Sequence, residues 1–272
     1  MGSNRVIAIT GASAGIGRAT ALRLARDGAA VAICARRADR LEGAAAAIAA
    51  AGGRALPVVA DVTREADMDR FVAATVERFG RLDVMMCNAG FGIAGAIDDI
   101  APDQMRKLMD INYMGTYLAA AAAMRVFRRQ GHGHLIIVSS IVGKRGVPYM
   151  GAYSATKFAQ VGLAECLRAE VAGSPIHVSV VYPVSTETEF FDVMSRETGA
   201  TVTRAHGPRQ HVDRVADAIA RAIERPVLEI YPYFQSRFLV ILNAFAPAFT
   251  DRLVKRFGRK PVGPSPSGAL RL

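Results

Sequence analysis

Tyr153 and Lys157 place a phenol and an ammonium group four residues apart, in the segment YSATK. On a helix this spacing puts both side chains on one face. A phenol has an ordinary pKa of about 10 and is a poor acid or base at neutral pH. A cation held close by stabilises the phenolate and lowers that pKa, so the phenol can exchange a proton with an alcohol or carbonyl oxygen. The same spacing is common and is more often structural.

Polar residues upstream can join this pair. Ser140 follows a predicted strand, His134–Ser139, and the carboxyl end of a parallel strand opens into the ligand crevice. Ser140 can therefore hydrogen-bond the same substrate oxygen, with Ser139 as its rival. Asn112 lies inside a predicted helix, where asparagine is unfavourable. It is either a tolerated polar residue or the mark of a helix distortion that holds a water for proton relay.

A glycine-rich turn follows the first predicted strand, Val6–Thr10, and a helix follows the turn. Its G-x-x-x-G-x-G spacing lets the backbone bend sharply and approach a pyrophosphate, while the helix N-terminus offers free N–H groups. A tight turn without a ligand is the alternative, but the position after the first strand of an α/β pattern favours a nucleotide. The residues expected at the cofactor are Gly11, Ser13, Ala14, Gly15, Ile16 and Gly17.

The second predicted strand, Ala30–Ala35, is followed by Arg36 and Arg37 and by no carboxylate. A carboxylate at this point would bind the adenosine ribose hydroxyls and favour NAD. Two guanidinium groups can instead pair with a 2′-phosphate. The pair favours NADP(H), with NAD(H) as the variant; the alternative is that both arginines are ordinary solvated residues.

These residues are positioned by short apolar runs that alternate with segments of helical periodicity over about 230 residues. Strands are predicted at Val6–Thr10, Ala30–Ala35, Arg54–Val59, Val84–Asn88, His134–Ser139, His177–Tyr182 and Val227–Tyr231. Helices are predicted at Gly15–Asp27, Arg37–Ala51, Glu65–Phe79, Gln104–Arg129, Ala152–Ala172 and Asp213–Glu224. Nearly continuous apolar strands are typical of a parallel sheet covered on both faces. The pattern predicts a single-domain α/β fold, a doubly wound parallel sheet in a Rossmann-like three-layer α/β/α arrangement.

Composition narrows the class of protein. The chain has 272 residues, 51% of them hydrophobic, with a formal net charge of +10, which excludes a disordered chain. Three cysteines exclude a disulfide framework and favour reduced thiols in the cytoplasm. The stretch before Val6 is too short for a signal peptide, and no apolar stretch reaches the roughly 20 residues of a membrane span. Neither metal-ligand spacing of histidines nor a nucleic-acid recognition motif is present, so no metal and no nucleic-acid partner is expected.

The motifs together resemble those of the short-chain dehydrogenase/reductase family. In chain order they are Thr10–Gly17, Asp61 with Val62, Asn88 with Ala89 and Gly90, Asn112, Ser140, and Tyr153 with Lys157. They cover roughly residues 5–190, and although each is weak alone, six in the family's order identify the chain as a member. The resemblance implies an enzyme that uses NADP(H) or NAD(H) to interconvert an alcohol and a ketone or aldehyde. The alternative is a dinucleotide-binding sensor or scaffold without physiological turnover.

The resemblance also implies a role for each matched residue. Tyr153 is the general acid/base and Ser140 orients the carbonyl group. Lys157 holds the nicotinamide ribose and lowers the pKa of Tyr153, and Asn112 anchors the proton-relay water. The remaining matches bind cofactor: Asp61 and Val62 line the adenine, and Asn88, Ala89 and Gly90 form the floor beneath the nicotinamide.

One departure from the family pattern follows the sixth strand. Pro183 is followed by Val184 where the family has glycine, so a branched side chain stands beside the expected nicotinamide position. Thr188 fits the family residue that holds the carboxamide, with Thr186 as its rival. A second departure is Ala14, because many NADP(H)-preferring members carry a basic residue at that position. The arginines after the second strand then carry the cofactor preference largely alone.

Residues 1–250 are predicted to form the catalytic domain, with a substrate lid at about 190–210 and a basic extension at 251–272. The lid composition permits an apolar small-molecule carbonyl or alcohol substrate. Residues 235–260 combine an apolar face with basic residues. Such a segment can pack on the domain, cap the pocket, form a subunit interface or contact an anionic membrane surface. The resemblance favours a homodimer or homotetramer built on the long helices.

Overall fold

The computed structural model describes residues 4–202, 208–255 and 260–264. Its strands are β1 (Val6–Thr10), β2 (Ala30–Ala35), β3 (Arg54–Val59), β4 (Val84–Cys87), β5 (Gly133–Val138), β6 (Ile176–Val181), β7 (Ser185–Thr186), β8 (Ala200–Thr201), β9 (Arg209–Gln210), β10 (Glu229–Ile230) and β11 (Val262–Pro264). Its helices are α1 (Gly15–Arg26), α2 (Ala38–Ala50), α3 (Glu65–Phe79), α4 (Pro102–Met109), α5 (Gly115–Gln130), α6 (Gly151–Glu170), α7 (Phe190–Thr198), α8 (Val212–Glu224), α9 (Ser236–Phe245) and α10 (Pro247–Val254). A π-helical turn, Asp110–Met114, joins α4 to α5.

Seven strands form one parallel sheet in the order β10-β6-β5-β4-β1-β2-β3. Chain order runs outward in opposite directions from the adjacent strands β1 and β4. A doubly wound sheet binds its ligands outside the carboxyl ends of the strands at such a switch point. The predicted fold class is therefore confirmed, and the switch point fixes where a site is to be sought.

Helices cover both faces of the sheet, which is why its central strands are apolar throughout. In β1, Ile7 faces a cluster that includes Ile219 of α8. Its neighbour Ala8 faces the opposite cluster, which includes Phe127 of α5. Every residue of β1 is buried, so a polar substitution on either face of this strand would remove a hydrophobic contact.

Most predicted elements are found within two residues of their expected bounds. The exception is the helix expected over Gln104–Arg129, which is interrupted by the π-helical turn. The last strand of the sheet is shorter than expected, at Glu229–Ile230. No helix within the described ranges is long and apolar enough to span a membrane.

The lid and the extension are only partly described. The segment 190–210 contains α7 and the short strands β8 and β9, while residues 203–207 lie outside the described part of the chain. Helix α10 runs across the predicted boundary at residue 250, and its Thr250 and Val254 are buried. Within the extension, β11 pairs with β8, whereas residues 256–259 and 265–272 lie outside the described ranges.

Candidate active site

A cleft of about 880 Å³ lies at the carboxyl ends of the central strands. Nearly all of the residues predicted from sequence line it: Gly11, Ser13, Ala14, Gly15, Ile16, Arg36, Arg37, Asp61, Val62, Asn88, Ala89, Gly90, Ser140, Tyr153, Lys157, Pro183, Val184, Thr186 and Thr188. The two that do not line it, Gly17 and Asn112, are buried behind the lining. Residues far apart in the chain thus form one site that is large enough for an extended ligand.

The glycine turn packs so closely on the end of β4 that side chains cannot be accommodated. A Cβ on Gly17 would lie 2.6 Å from Asn88 Nδ2, and one on Gly11 would lie 2.7 Å from Ala89 Cα. Asn88 fastens the turn because its Nδ2 donates to the Thr10 and Gly11 carbonyl oxygens at 2.9 and 3.1 Å. The N-cap residue of α1, Ala14, makes no side-chain cap bond, so the first N–H groups of the helix are left for a ligand. This cradle fits a pyrophosphate.

The arginines after β2 meet a carboxylate that sequence reasoning missed. Arg37 Nη2 lies 3.0 Å from Glu189 Oε1, and Arg40 Nη1 lies 2.6 Å from Glu189 Oε2. The hydrogen bond from Arg40 is the main cause that lowers the pKa of Glu189, burial opposes it, and Arg37 adds to the lowering. Glu189 lines the cleft with Arg36 and Arg37. The end of the cleft at which the adenosine is predicted to bind therefore contains both signs of charge.

Asp61 and Val62 are held rigidly at the same end. Asp61 Oδ1 accepts from Thr63 N at 3.0 Å and from Thr63 Oγ1 at 2.9 Å. Val62 packs against Gly115, where an added Cβ would lie 2.6 Å from Val62 Cγ2. An apolar side chain and a fixed polar turn at this place suit the flat face and the edge of a purine ring.

Tyr153 and Ser140 meet at the opposite end of the cleft. Helix α6 begins at Gly151, so Tyr153 lies in its first turn and faces Ser140, with which its side chain is hydrogen-bonded. Burial raises the pKa of Tyr153 well above its ordinary value, and the Ser140 bond opposes this only in part. The hydroxyl of Ser139 donates to the Lys157 carbonyl oxygen at 3.0 Å and so fastens α6. The two serines therefore have different partners, and it is Ser140 that contacts the phenol.

Lys157 is buried, and its ammonium group is bound by the protein. Nζ donates to Val138 O at 2.9 Å and to Gln160 Oε1 at 3.1 Å, and it lies 5.6 Å from the centre of the Tyr153 ring. Burial lowers the pKa of Lys157 to about 7. That Lys157 lowers the pKa of Tyr153 stays a prediction. Burial disfavours the charged form of both groups, and it is the largest influence on the pKa of Tyr153.

The pKa of Lys157 makes folding stability depend on pH. In the unfolded chain the ammonium keeps its proton up to the ordinary pKa of 10.5, whereas in the fold it loses the proton near pH 7. Between these two pH values unfolding takes up a proton. The contribution of Lys157 to stability is therefore greatest above its pKa in the unfolded chain, and it falls as the pH drops to its pKa in the folded protein. Raising the pH from 7 to 9 is expected to stabilise the wild type by about 2 kcal/mol relative to Lys157→Met.

Urea unfolding of both proteins at the two pH values measures this difference. Lys255→Met, which removes an exposed lysine, is the control. If the free energy of unfolding of the wild type minus that of Lys157→Met stays constant or falls as the pH rises, Lys157 keeps its proton in the fold.

Asn112 lies in the π-helical turn, so the predicted distortion of the helix is confirmed. Its side chain bonds both backbone groups of Phe91, accepting at 3.0 Å and donating at 2.9 Å, and donates to Thr156 Oγ1 at 3.0 Å. The main-chain carbonyl oxygen of Asn112 accepts hydrogen bonds from Thr116 Oγ1 and Gln160 Nε2, each at 2.7 Å. Both lone pairs of that carbonyl are thus occupied by protein groups. The relay water predicted at Asn112 stays a prediction, with one acceptor position left on Oδ1.

Gln160 is a second residue that sequence reasoning missed. Its amide oxygen accepts from Lys157 Nζ while its amide nitrogen donates to the Asn112 carbonyl, so one buried side chain joins the two. Gln160 lies one turn after Lys157 on α6, and this helical spacing was the one available signal.

The segment after β6 borders the cleft between its two ends. Val184 is buried, and its carbonyl oxygen accepts from Thr186 Oγ1 at 2.8 Å. Thr186 Oγ1 also accepts from Gln210 Nε2 at 3.1 Å, so this hydroxyl is engaged by the protein. The Thr188 methyl group lies 3.4 Å from where a Cβ on Gly15 would stand. Thr188 therefore lies directly against the glycine turn.

Helix α7 covers the end of the cleft that contains Tyr153. The ring of Phe190 lies 5.4 Å from that of Tyr153, and a Cβ on Gly92 would lie 2.1 Å from Met194 Cε. The remaining lining near Tyr153 is mainly apolar and includes Val142, Val147, Met150, Val193, Leu239 and Leu253. A buried phenol under an apolar cover can transfer a proton out of contact with water.

The chain is similar in sequence and in fold to known proteins. The model of the family described as short chain dehydrogenase matches residues 5–199. An uncharacterized oxidoreductase of Listeria innocua is 36% identical over 229 residues, which cover 82% of this chain and 92% of that protein. The alcohol dehydrogenase of the archaeon Thermococcus sibiricus, complexed with 5-hydroxy-NADP, superimposes with a TM-score of 0.74 at 28% identity over 84% of this chain and 95% of its own. The 3-ketoacyl-(acyl-carrier-protein) reductase of Brucella melitensis, complexed with NADH, superimposes with a TM-score of 0.75 at 28% sequence identity, over 84% of this chain and 96% of its own.

Proposed function

Since the chain belongs to the short-chain dehydrogenase family and is an NAD(P)-dependent oxidoreductase, we propose that it prefers NADP(H) and interconverts an alcohol with a ketone or aldehyde. One observation carries the proposal. A single cleft contains the glycine turn and the arginines at one end and the Tyr153–Ser140 pair at the other. A dinucleotide laid between these ends brings its nicotinamide to the phenol.

We assign the residues that would hold the cofactor from the family pattern, and their places in the cleft support the assignment. The glycine turn takes the pyrophosphate, Arg36 and Arg37 the 2′-phosphate, and Asp61 with Val62 the adenine. Asn88, Ala89 and Gly90 lie beneath the nicotinamide, and Lys157 binds its ribose. Pro183 and Val184 border the ring, and Thr188 holds the carboxamide, with Thr186 as the rival. The bound cofactor supplies or accepts the hydride.

Tyr153 is the residue that transfers the proton. In the reducing direction Ser140 donates a hydrogen bond to the carbonyl oxygen, and the Tyr153 hydroxyl gives its proton to that oxygen as hydride reaches the carbon. Burial raises the pKa of Tyr153, so the phenol is protonated at neutral pH and is suited to donate. The resulting phenolate is stabilised by Ser140 and by Lys157 in its protonated form.

A panel of ketones, aldehydes and alcohols, followed by the absorbance of the reduced nicotinamide, tests this function. Turnover with NADPH of an apolar carbonyl compound supports it. Tight NADPH binding without turnover of any compound would instead support a dinucleotide-binding sensor or scaffold, the alternative that leaves Tyr153, Ser140 and Lys157 without a task.

We place the protein in the cytoplasm. The cysteines within the described ranges are free: Cys34 and Cys87 are buried and Cys166 is exposed. Burial raises the pKa of Cys87 to about 12 and that of Cys34 further, so both thiols are unreactive core groups. Reduced thiols are typical of cytoplasmic proteins.

We propose that the chain divides into a catalytic domain at 1–250, with its lid at about 190–210, and an extension at 251–272. Two exposed apolar surfaces on the chain suggest two kinds of contact. The first surface consists of the exposed residues Met114 on the π-helical turn, Tyr117 on α5 and Phe158 on α6. We assign this face to a second copy of the chain in a homodimer or homotetramer. The second surface, the α9–α10 face, consists of the exposed residues Phe234, Phe238, Ile241, Leu242, Phe245 and Phe249.

We assign the α9–α10 face to an anionic lipid surface. Exposed cations flank it at Arg237, Arg252, Lys255 and Lys260, and none of these forms an ion pair with another residue of the described ranges. The nearby Asp251 is neutralised by Arg145. A basic rim would repel itself across a symmetric contact between two copies, whereas it complements anionic lipid.

Co-sedimentation with vesicles tests this contact. The wild type is expected to bind vesicles that contain phosphatidylserine and not those of phosphatidylcholine alone. Replacing Phe238, Phe245 and Phe249 together by Ser is expected to lower binding at least tenfold, about 1.4 kcal/mol or more, and to leave the oligomer measured by light scattering unchanged. Ile97→Ser, which removes an equally exposed apolar side chain elsewhere, is the control. Loss of the oligomer in the triple variant, or equal binding to both vesicles, would contradict the assignment.

A further inference from the structure

Glu189 connects the two sides of the cleft at its adenosine end. Its two carboxylate oxygens are bound by different arginines, Arg37 at 3.0 Å and Arg40 at 2.6 Å. Both arginines follow β2, whereas Glu189 is the N-cap residue of α7, 152 positions after Arg37. The same Arg37 nitrogen lies 3.4 Å from Ser13 Oγ in the glycine turn. One of the two guanidinium groups proposed to bind the 2′-phosphate is therefore already bound to a carboxylate.

The surroundings of Glu189 leave it accessible to a ligand. Its side chain is 34% exposed and lines the cleft beside Arg36, Arg37 and Ser13. Arg40 does not line the cleft and so holds the carboxylate from outside. A ligand that enters the adenosine end must either share Arg37 with Glu189 or displace it.

We propose that Glu189 is a specificity-determining residue that disfavours NADP(H) and does not disfavour NAD(H). This rests on the proposed function, in which the adenosine ribose lies beside Arg36 and Arg37. A 2′-phosphate is a phosphomonoester with a charge of about −1.5 to −2 at pH 7. It must take Arg37 from Glu189 and then lies close to a like charge. A 2′-hydroxyl carries no charge and can donate a hydrogen bond to the carboxylate.

The two arginines and Glu189 thus act in opposite senses on the same phosphate. Two cations, Arg36 and Arg37, and two carboxylates, Asp61 and Glu189, line this end of the cleft, and it is Glu189 that is bonded to Arg37. The preference for NADP(H) is smaller than the arginines alone would produce. Removing the negative charge of Glu189 should release Arg37 for the phosphate without changing its position.

Glu189→Gln keeps the shape of the side chain and removes its charge. Titration of the full chain with NADPH and with NADH, followed by the fluorescence of the reduced nicotinamide, measures both dissociation constants without turnover. The Kd for NADPH is expected to fall roughly tenfold, and that for NADH is expected to stay within about twofold or to rise. Glu187→Gln is the matched control, because Glu187 is exposed, lies two residues upstream and does not line the cleft.

Three results would overturn the proposal. In the first, Glu189→Gln changes both dissociation constants by the same factor, which would mean that the residue merely closes the cleft. In the second, it changes neither. In the third, Glu187→Gln produces the same shift, which would mean that bulk charge is responsible. A wild type that binds NADH more tightly than NADPH would contradict the cofactor preference under "Proposed function", but the shift in the ratio on Glu189→Gln would still support the role of Glu189.

Discussion

Replacing Tyr153 by Phe is expected to lower kcat by about 10² to 10⁴-fold, the range that a positioned general acid contributes. The substitution removes the hydroxyl and leaves the ring that packs against Phe190 at 5.4 Å, so the cleft keeps its shape. The Kd for NADPH is expected to stay within about twofold, because the phenol acts on substrate oxygen and not on the cofactor's phosphates. Steady-state kinetics and a fluorescence titration measure the two effects separately.

Tyr231→Phe is the matched control for this prediction. Its hydroxyl donates to Glu229 Oε2 at 3.0 Å, away from the cleft, so its removal tests whether loss of any partly buried phenol lowers turnover. Equal falls of kcat and kcat/KM in Tyr153→Phe would show that the lost interaction belongs to the transition state. A Tyr153→Phe protein with near wild-type kcat would contradict the assignment of the general acid.

Replacing Arg36 and Arg37 together by Gln is expected to weaken NADPH binding about 100-fold while changing NADH binding less than about threefold. Each charge-assisted hydrogen bond to phosphate contributes roughly 1.5 to 3 kcal/mol, and the competing contact between Arg37 and Glu189 reduces the sum. Because both arginines are exposed, the effect should shrink as ionic strength rises. Titrations of both reduced cofactors at low and high salt measure it.

Arg128→Gln with Arg129→Gln removes an adjacent pair of arginines from the end of α5 and serves as the control for net charge. It is expected to leave the ratio of the two dissociation constants unchanged. If the Arg36 and Arg37 variant loses NADH affinity as strongly as NADPH affinity, these arginines bind the shared part of the dinucleotide and do not select between the two cofactors.

The strands of the sheet were predictable because burial on both faces demands uninterrupted apolar residues. The strand β1 shows this, since all five of its residues are buried and its bounds agree with the prediction. The glycine turn was predictable for a similar reason: at Gly17 the neighbouring Asn88 leaves no room for a Cβ. Both features depend on local sequence and on one close contact.

The parts of the site that escaped prediction depend on contacts distant in sequence. Glu189 meets Arg37 across 152 positions, and no local pattern marks the pair. The direction of the Tyr153 pKa shift depends on how deeply α7 and its Phe190 bury the phenol, which spacing along α6 does not reveal. The π-helical turn was foreseen only as a distortion, because the poor helix propensity of Asn112 says nothing of its form.

Hydride transfer from NADPH to a carbonyl carbon is the central claim, and isotope transfer tests it most directly. NADPH in which both hydrogens of the reactive nicotinamide carbon are deuterium is incubated with the protein and a panel of apolar ketones and aldehydes, and the products are examined by mass spectrometry. The wild type is expected to form an alcohol with one deuterium on the carbinol carbon for each NADPH consumed, and Tyr153→Phe is expected to form almost none. Tight NADPH binding with no deuterium in any product would contradict the claim and identify the protein as a dinucleotide-binding sensor or scaffold.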